Sequence, residues 1–173
     1  MTFHVWANGV AKSFIFRDGV DRDVMLKLLR EEVAFSNWTC LSYVVLSSHY
    51  HLLIRLNEPT LSTGLQRLNK RYAGYHNKRY ELRGHCFDQR FQSLLVKDAD
   101  DELETARYLA LNPTRAGMCR LPEDWPWSSY GAVIGKYPRD RIVDTRQALA
   151  PARGSRSRYR AFVEAVDPRL SRR

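Results

Sequence analysis

Apolar residues recur in this chain with two different periods, and the order in which those periods alternate leaves few folds open. Phe3 to Asn8 alternates, with His4 and Trp6 on one side and Val5 and Ala7 on the other, which predicts a first strand. Phe14-Ile15-Phe16 reads as an extension of that strand or a short companion. After the turn signal Asp18-Gly19, the positions Val24, Met25, Leu28, Leu29 and Val33 recur at helical spacing from about Asp21. Trp38 to Leu46 is rich in β-branched and aromatic residues, and His49 to Leu56 follows after Ser47-Ser48, so the two predict a hairpin. Beyond Pro59, the residues Leu61, Leu65, Leu68, Tyr72 and Tyr75 step by four, three, four and three, the signature of an amphipathic helix. Phe91 to Val96 reads as a strand. Asp98 to Leu111 reads as a helix expected to end near Pro113, because the residue before a proline disfavours helical geometry. The order β-α-β-β-α-β is the split βαβ arrangement. It predicts an α+β, ferredoxin-like βαββαβ antiparallel sheet with helices on one face, plus an additional helix that carries a tyrosine.

Composition narrows the partners. The chain has 173 residues with 44% hydrophobic and 27% charged residues, the balance of a globular domain rather than a disordered one. Lys and Arg number 28 against 19 Asp and Glu, a net charge of +9 that favours a polyanionic partner. The longest apolar runs, such as Val44-Val45-Leu46, are too short to span a bilayer. Met1 to Val10 has no basic start followed by an apolar core, so a cytoplasmic protein without a secretory signal is expected. Cys40, Cys86 and Cys119 are odd in number and unpatterned, which argues against a disulfide framework and a Cys-based zinc site. Beyond about Gly135 the sequence turns Arg-rich, with ten Arg against four acids in residues 139–173. The expected organisation is one domain over residues 1–135 and a basic, partly flexible tail over 136–173. The tail reads equally as solvated chain or as a nucleic-acid contact arm, with a short terminal helix around Tyr159 to Val166.

The segment His49-Tyr50-His51-Leu52-Leu53-Ile54-Arg55-Leu56 carries the most chemistry. Side chains alternate across a strand, so His49, His51, Leu53 and Arg55 point one way and Tyr50, Leu52, Ile54 and Leu56 the other. The apolar set should pack against the helices, which turns the histidines to the sheet's open face. Imidazoles two residues apart on a strand lie about 7 Å apart at their Cα atoms and can converge on one ion. An arbitrary His-x-His pair also reads as two surface histidines. In the last helix, Leu103, Ala106 and Ala110 form the apolar stripe, whereas Tyr108 aligns with Asp101, Glu104, Thr105 and Asn112 on the polar face. Asn112 lies one turn, about 6 Å, beyond Tyr108. A phenol has a pKa near 10, so it needs help to act as a nucleophile near neutrality.

On these residues the sequence resembles the HUH nucleases, whose signature is His-hydrophobic-His. The blocks IFRDGVDR (Ile15 to Arg22), SSHYHLLI (Ser47 to Ile54), LQRLNKRYAGYHNKR (Leu65 to Arg79), GHCFDQRF (Gly84 to Phe91), RYLALNPTRAG (Arg107 to Gly117) and PEDWPWSSY (Pro122 to Tyr130) resemble single-tyrosine transposases. The likeness is to the insertion sequence 200-like superfamily, REP-associated tyrosine transposase branch, over roughly residues 3–131. The resemblance implies that His49 and His51 hold a divalent ion, Mg or Mn, with Asn112 as third, amide-type ligand. It implies that Tyr108 attacks a scissile phosphate in single-stranded or hairpin DNA, leaving a 5′-phosphotyrosine link and a free 3′-hydroxyl. Relatives act as monomers or dimers, so a homodimer is among the expected partners. Two positions depart from the family pattern: Tyr50 is larger than the usual aliphatic, and Trp6-Ala7-Asn8-Gly9-Val10-Ala11-Lys12 replaces an Arg-Gly-Asn-rich turn.

Residues 67–97 hold eight basic residues against Glu81 and Asp88, with aromatics interleaved, the composition that grips single strands by charge and stacking. Lys70, Arg71, Lys78 and Arg79 are the foremost phosphate candidates, joined by Arg90, Lys97 and Arg115. Tyr72 and Tyr75 fit the apolar stripe and read as core, and neither His76 nor His85 is expected to be a ligand. Trp125-Pro126-Trp127 reads either as a stacking surface or as packing against the sheet. A second functional reading is a domesticated module that binds hairpin DNA or RNA without cutting it. A zinc deaminase is disfavoured, since neither Cys-x-x-Cys nor His-x-Glu is present.

Overall fold

A computed structural model describes residues 1–138 and 141–165. Four strands, β1 (Thr2–Asn8), β2 (Trp38–Val45), β3 (His49–Leu56) and β4 (Gln92–Val96), form one antiparallel sheet in the order β2-β3-β1-β4. Helices α1 (Gly19–Phe35), α2 (Leu61–Arg79) and α3 (Ala99–Arg115) complete the βαββαβ-α order expected from the periods. Short helices α4 (Tyr130–Val133), α5 (Thr145–Ala148) and α6 (Arg156–Glu164) follow. Phe14-Ile15-Phe16 is not a strand; Ile15 and Phe16 plug the core from the loop before α1.

The alternation of β3 divides the molecule into two sides. Tyr50, Leu52 and Ile54 are fully buried under α1 and α2, and the Tyr50 hydroxyl donates to Asn69 Oδ1 of α2 at 2.7 Å. The opposite side of β3 and β2 is crossed by α3, which is joined to the sheet by the ion pair of Arg55 with Glu102 at 2.8 Å. Helices α1 and α3, one on either side of the sheet, each begin with an aspartate N-cap. Asp18 accepts from the Asp21 amide at 3.0 Å and Asp98 from the Asp101 amide at 2.9 Å, satisfying donors that the first helical turn leaves free.

Two sequence expectations are corrected. Helix α3 does not stop before Pro113 but continues to Arg115. Proline lacks the amide that would bond the preceding turn and its ring crowds the carbonyl four residues back, but its fixed φ is itself helical. The helix is ended instead by Gly117, at φ +69°, with Met118 N donating to Pro113 O and Gly117 N to Thr114 O, the pair of bonds that closes a helix on a left-handed glycine. The described part of the segment expected as a basic, partly flexible tail is packed, and α6 stands where a short terminal helix was expected. Val143 pairs alongside Cys40, Leu149, Tyr159 and Val163 are buried, and Arg107 of α3 donates to Ala165 O. The few apolar residues of this stretch are widely spaced, so its Arg content dominates a reading by composition. Residues 139–140 and 166–173 of the expected tail, with the end of the terminal helix expected there, lie outside the described residues. Trp125-Pro126-Trp127 runs along β2 rather than facing outward: Trp125 Nε1 donates to Val45 O, Trp127 O accepts from Val45 N, and Arg22 stacks near both indoles.

Helix α2 approaches the sheet closely at Gly64. A Cβ there would meet the Trp38 ring, 2.7 Å from Cη2, and that ring is held by its own bond to Thr60 Oγ1. Alanine favours a helix by about 1 kcal/mol over glycine, but the clash with a fixed indole outweighs it. Gly64→Ala is expected to destabilise the protein by about 1–3 kcal/mol, read as a lower urea midpoint.

Candidate active site

On the side of the sheet that faces α3, antiparallel pairing sets Trp6 opposite His51 and Asn8 opposite His49. The rings of His49 and His51 stand edge to face with centres 5.1 Å apart. Each uses its Nδ1 in a hydrogen bond within the protein: His49 with Ser48 Oγ and His51 with His4 Nε2, both at 3.0 Å. His51 is only 5% exposed. Burial, reinforced by the neighbouring imidazoles of His4 and His49, pushes its pKa down to about 3. Burial likewise lowers His4 to about 4, against the opposing field of Asp101, and lowers His49. All three imidazoles are therefore neutral at physiological pH, the form that can coordinate an ion.

Helix α3 brings the phenol. Its stripe Ala106, Leu109 and Ala110 is buried, which leaves Tyr108 on the flank, 42% exposed, with its ring centre 5.5 Å from that of His51 and 5.8 Å from that of His4. Glu102 lies over Arg55 and Tyr108 over His51, so the helix runs opposite to β3. Four further residues of helix advance about 6 Å and two residues of strand about 6.6 Å, which sets Asn112 at the level of His49. The Asn112 amide nitrogen is buried without a hydrogen-bond partner.

Among the described residues, no group of three or more His, Cys, Asp or Glu side chains comes together as a metal cluster. The available donors are two imidazoles and a carboxamide, a mixed nitrogen and oxygen set that fits a divalent ion.

The expected phosphate contacts separate into two groups. Arg79 is engaged by its own fold, donating to Asp18 and Asp21 and to the Tyr75 hydroxyl, and Arg71 pairs with Glu31 at 2.6 Å. Asp21, fully buried, also accepts from Arg17 N and from the Tyr75 and Tyr80 hydroxyls. Lys70 and Arg90, by contrast, border a cleft of about 530 Å³ between α2 and the loop before β4. Arg90 borders also a small depression beside Trp6 and Asn8, on the histidine side. Lys78 is exposed on α2, across the sheet from Tyr108. Lys97 is exposed where α3 begins, its amide bound to Asp101. Arg115 follows Tyr108 by seven residues on the same helix face. Tyr72 is core, as expected, and Tyr75 is half buried against Asp21; His76 is buried between Tyr72 and Tyr80, while His85 lines the α2 cleft. Sequence reasoning missed His4. The signal available was its position on the same side of β1 as Trp6, but only the pairing register shows that this side meets His51.

No family model matches the chain, and no curated protein does. Among solved structures, a REP-associated tyrosine transposase bound to a REP hairpin superposes with a TM-score of 0.66. The match covers 83% of this chain and 87% of that one, at 18% identity. The two chains share a fold. No helix among the described residues is long and apolar enough to cross a membrane.

The role of Arg79 gives a testable sign. Its hydrogen bonds hold the Asp18 carboxyl down to about 2, and its bond to Asp21 helps outweigh the burial that would raise that group. Carboxylates lowered on folding stabilise the protein above their ordinary pKa, near 4, and lose that contribution as pH falls toward the folded value. Arg79→Met is expected to lower the thermal midpoint at neutral pH, with the gap from wild type narrowing between pH about 4 and about 2.

Proposed function

We propose that this chain is a metal-dependent HUH tyrosine transposase of the REP-associated type, which nicks and rejoins single-stranded or hairpin DNA. The observation that carries the reading is the convergence of an exposed phenol from α3 on a pair of neutral imidazoles from β3, His51 buried and His49 half-buried. The transposase fold adds support, since the solved neighbour was seen bound to a REP hairpin. His49 and His51 would hold the ion through Nε2, with Nδ1 of each tied into the protein, and Asn112 through its amide oxygen. A bound divalent ion supplies Lewis acidity toward a phosphate oxygen. The imidazole pair favours Mn over Mg, because nitrogen donors suit Mg less well.

Tyr108 supplies the nucleophile. Its oxygen attacks the scissile phosphorus, the bond from phosphorus to the 3′-oxygen breaks, the phenol releases its proton, and the departing 3′-oxygen takes one up. The 5′ end remains attached as phosphotyrosine, so the energy of the phosphodiester is kept for a later attack by another 3′-hydroxyl. Tyr108 is suited to this by its position on the flank of the helix, where a strand has access. Arg115 on the same face, and Arg90 beside Trp6 and Asn8, are the cations placed to meet phosphates on this side. Lys70, Lys78 and Lys97 would extend the contact.

The deciding experiment mixes the protein with a hairpin-bearing single-stranded oligonucleotide and Mn²⁺, followed by a denaturing gel. A covalent protein–DNA adduct is expected, lost on adding chelator and lost in Tyr108→Phe, His49→Ala and His51→Ala, while Tyr108→Phe binds the oligonucleotide within about threefold of wild type. An adduct that persists in Tyr108→Phe overturns the assignment of the nucleophile. Binding without any adduct in wild type would identify a non-cleaving hairpin-binding module instead. Arg90→Ala is expected to weaken binding to all sequences alike and to reduce the slope of log K against log salt by about 1.

A further inference from the structure

We propose that His4 is a positioning residue of the candidate active site, holding His51 in the tautomer that carries its proton on Nδ1 and so leaving the Nε2 lone pair for the ion. The purpose of this device rests on the metal-site reading above; the hydrogen bond itself does not.

The contact between His4 Nε2 and His51 Nδ1, at 3.0 Å, has room for one proton. If His4 donates, His51 must carry its own proton on Nε2, and that nitrogen is closed to a cation. If His51 donates, its Nε2 is bare. The surroundings favour the second arrangement. His49 shows the same plan, with its Nδ1 bound to Ser48 Oγ, so both rings of the pair have Nδ1 occupied by the protein and Nε2 left over. Histidines that ligate metals usually donate their second nitrogen to a fixed acceptor, which sets tautomer and ring orientation together. Here the acceptor is an imidazole on the neighbouring strand.

The fold makes His4 the residue that can do this. His4 pairs with Leu53 in the β1–β3 ladder, so it is diagonal to His51, at the distance from which long side chains on one face reach each other. Its ring is boxed by Trp6, at 4.9 Å between centres, and by Tyr108 at 5.8 Å. The same residue thus touches both the ligand and the nucleophile's ring, and it fixes the direction of the ligand without needing to bind the ion.

The test reads the tautomer directly in metal-free protein, by long-range ¹H–¹⁵N correlation of the histidine rings. Wild type is expected to show His51 protonated on Nδ1 and bare on Nε2. His4→Phe should move that proton to Nε2, and His4→Gln, whose side-chain carbonyl can still accept, should keep it on Nδ1. Mn²⁺ titration, followed by the electron paramagnetic resonance of the free ion, should show binding weakened about 10–100-fold in His4→Phe and restored in His4→Gln. A wild-type His51 protonated on Nε2 overturns the proposal, as does equal Mn²⁺ binding by wild type and His4→Phe, or no binding by either. Should His4→Phe fail to fold, the wild-type spectrum and the Gln variant still decide. The two readings fail separately. The expected tautomer with no Tyr108 adduct removes the transposase reaction and leaves the role of His4, whereas an adduct with His51 protonated on Nε2 does the reverse.

Discussion

The two-sidedness of β3 is the constraint on which the other features rest. The strand lies between β2 and β1, so its register is fixed by ladders on both sides. Tyr50, Leu52 and Ile54 go fully into the core on one face. A slip of one residue would exchange the faces, driving His49, His51 and Arg55 under α1 and α2 and exposing the apolar set. Each large apolar side chain returned to water would cost about 1.5–3 kcal/mol, more than any local preference of the hairpin could offset. The core thus specifies where the imidazoles point. Their chemistry follows from what covers them: α3 lies over β2 and β3, and the resulting desolvation keeps the rings neutral.

Tyr108 is positioned by residues that do not touch it. Ala106 and Ala110 are small and buried, so α3 can lie close to the sheet, and Leu109 fills the space beneath. Arg55 fixes the start of the helix through Glu102 and holds α5 as well, donating to Gln147 Oε1 at 2.5 Å. Arg107 fixes the middle from the other side through Ala165 O and the Phe162 ring. A phenol on the stripe itself would be locked away from any substrate; one on the flank is rigidly carried and still open. The packed C-terminal segment accordingly belongs to the machinery that places the tyrosine.

The sequence made legible what depends on local period. Strand and helix order, the facing of His49 and His51, and the separation of Tyr108 from the apolar stripe all follow from spacings of two or of three and four. What was not legible depends on partners distant in the chain. His4 is alternation like any other until β1 is aligned with β3, 47 residues on. Pro113 taken alone suggests an earlier end to α3 than the one Gly117 imposes. Arg79 looked like a phosphate contact because its carboxylate partners, Asp18 and Asp21, sit about sixty residues earlier.

The fate of Arg79 bears on how the molecule would meet a polyanion. Along α2, Arg67, Arg71 and Arg79 pair with Glu32, Glu31 and the Asp18–Asp21 couple, so three of the five basic residues of this helix belong to a seam with α1 and its N-cap. A cation already neutralised by a fixed carboxylate releases few counterions when a phosphate arrives, and contributes little to salt-dependent binding. Among the described residues, the phosphate candidates left over, Lys70, Lys78, Arg90, Lys97 and Arg115, are spread over several elements rather than along one helix. Arg115 lies on the tyrosine face of α3, Arg90 beside Trp6 and Asn8, and Lys70 on the α2 cleft that Arg90 also borders. A rigid duplex cannot follow a path that turns around a sheet edge, whereas a flexible single strand can. On the proposed reading, cations on both sides of the sheet suit a single-stranded segment that reaches the tyrosine side past Arg90.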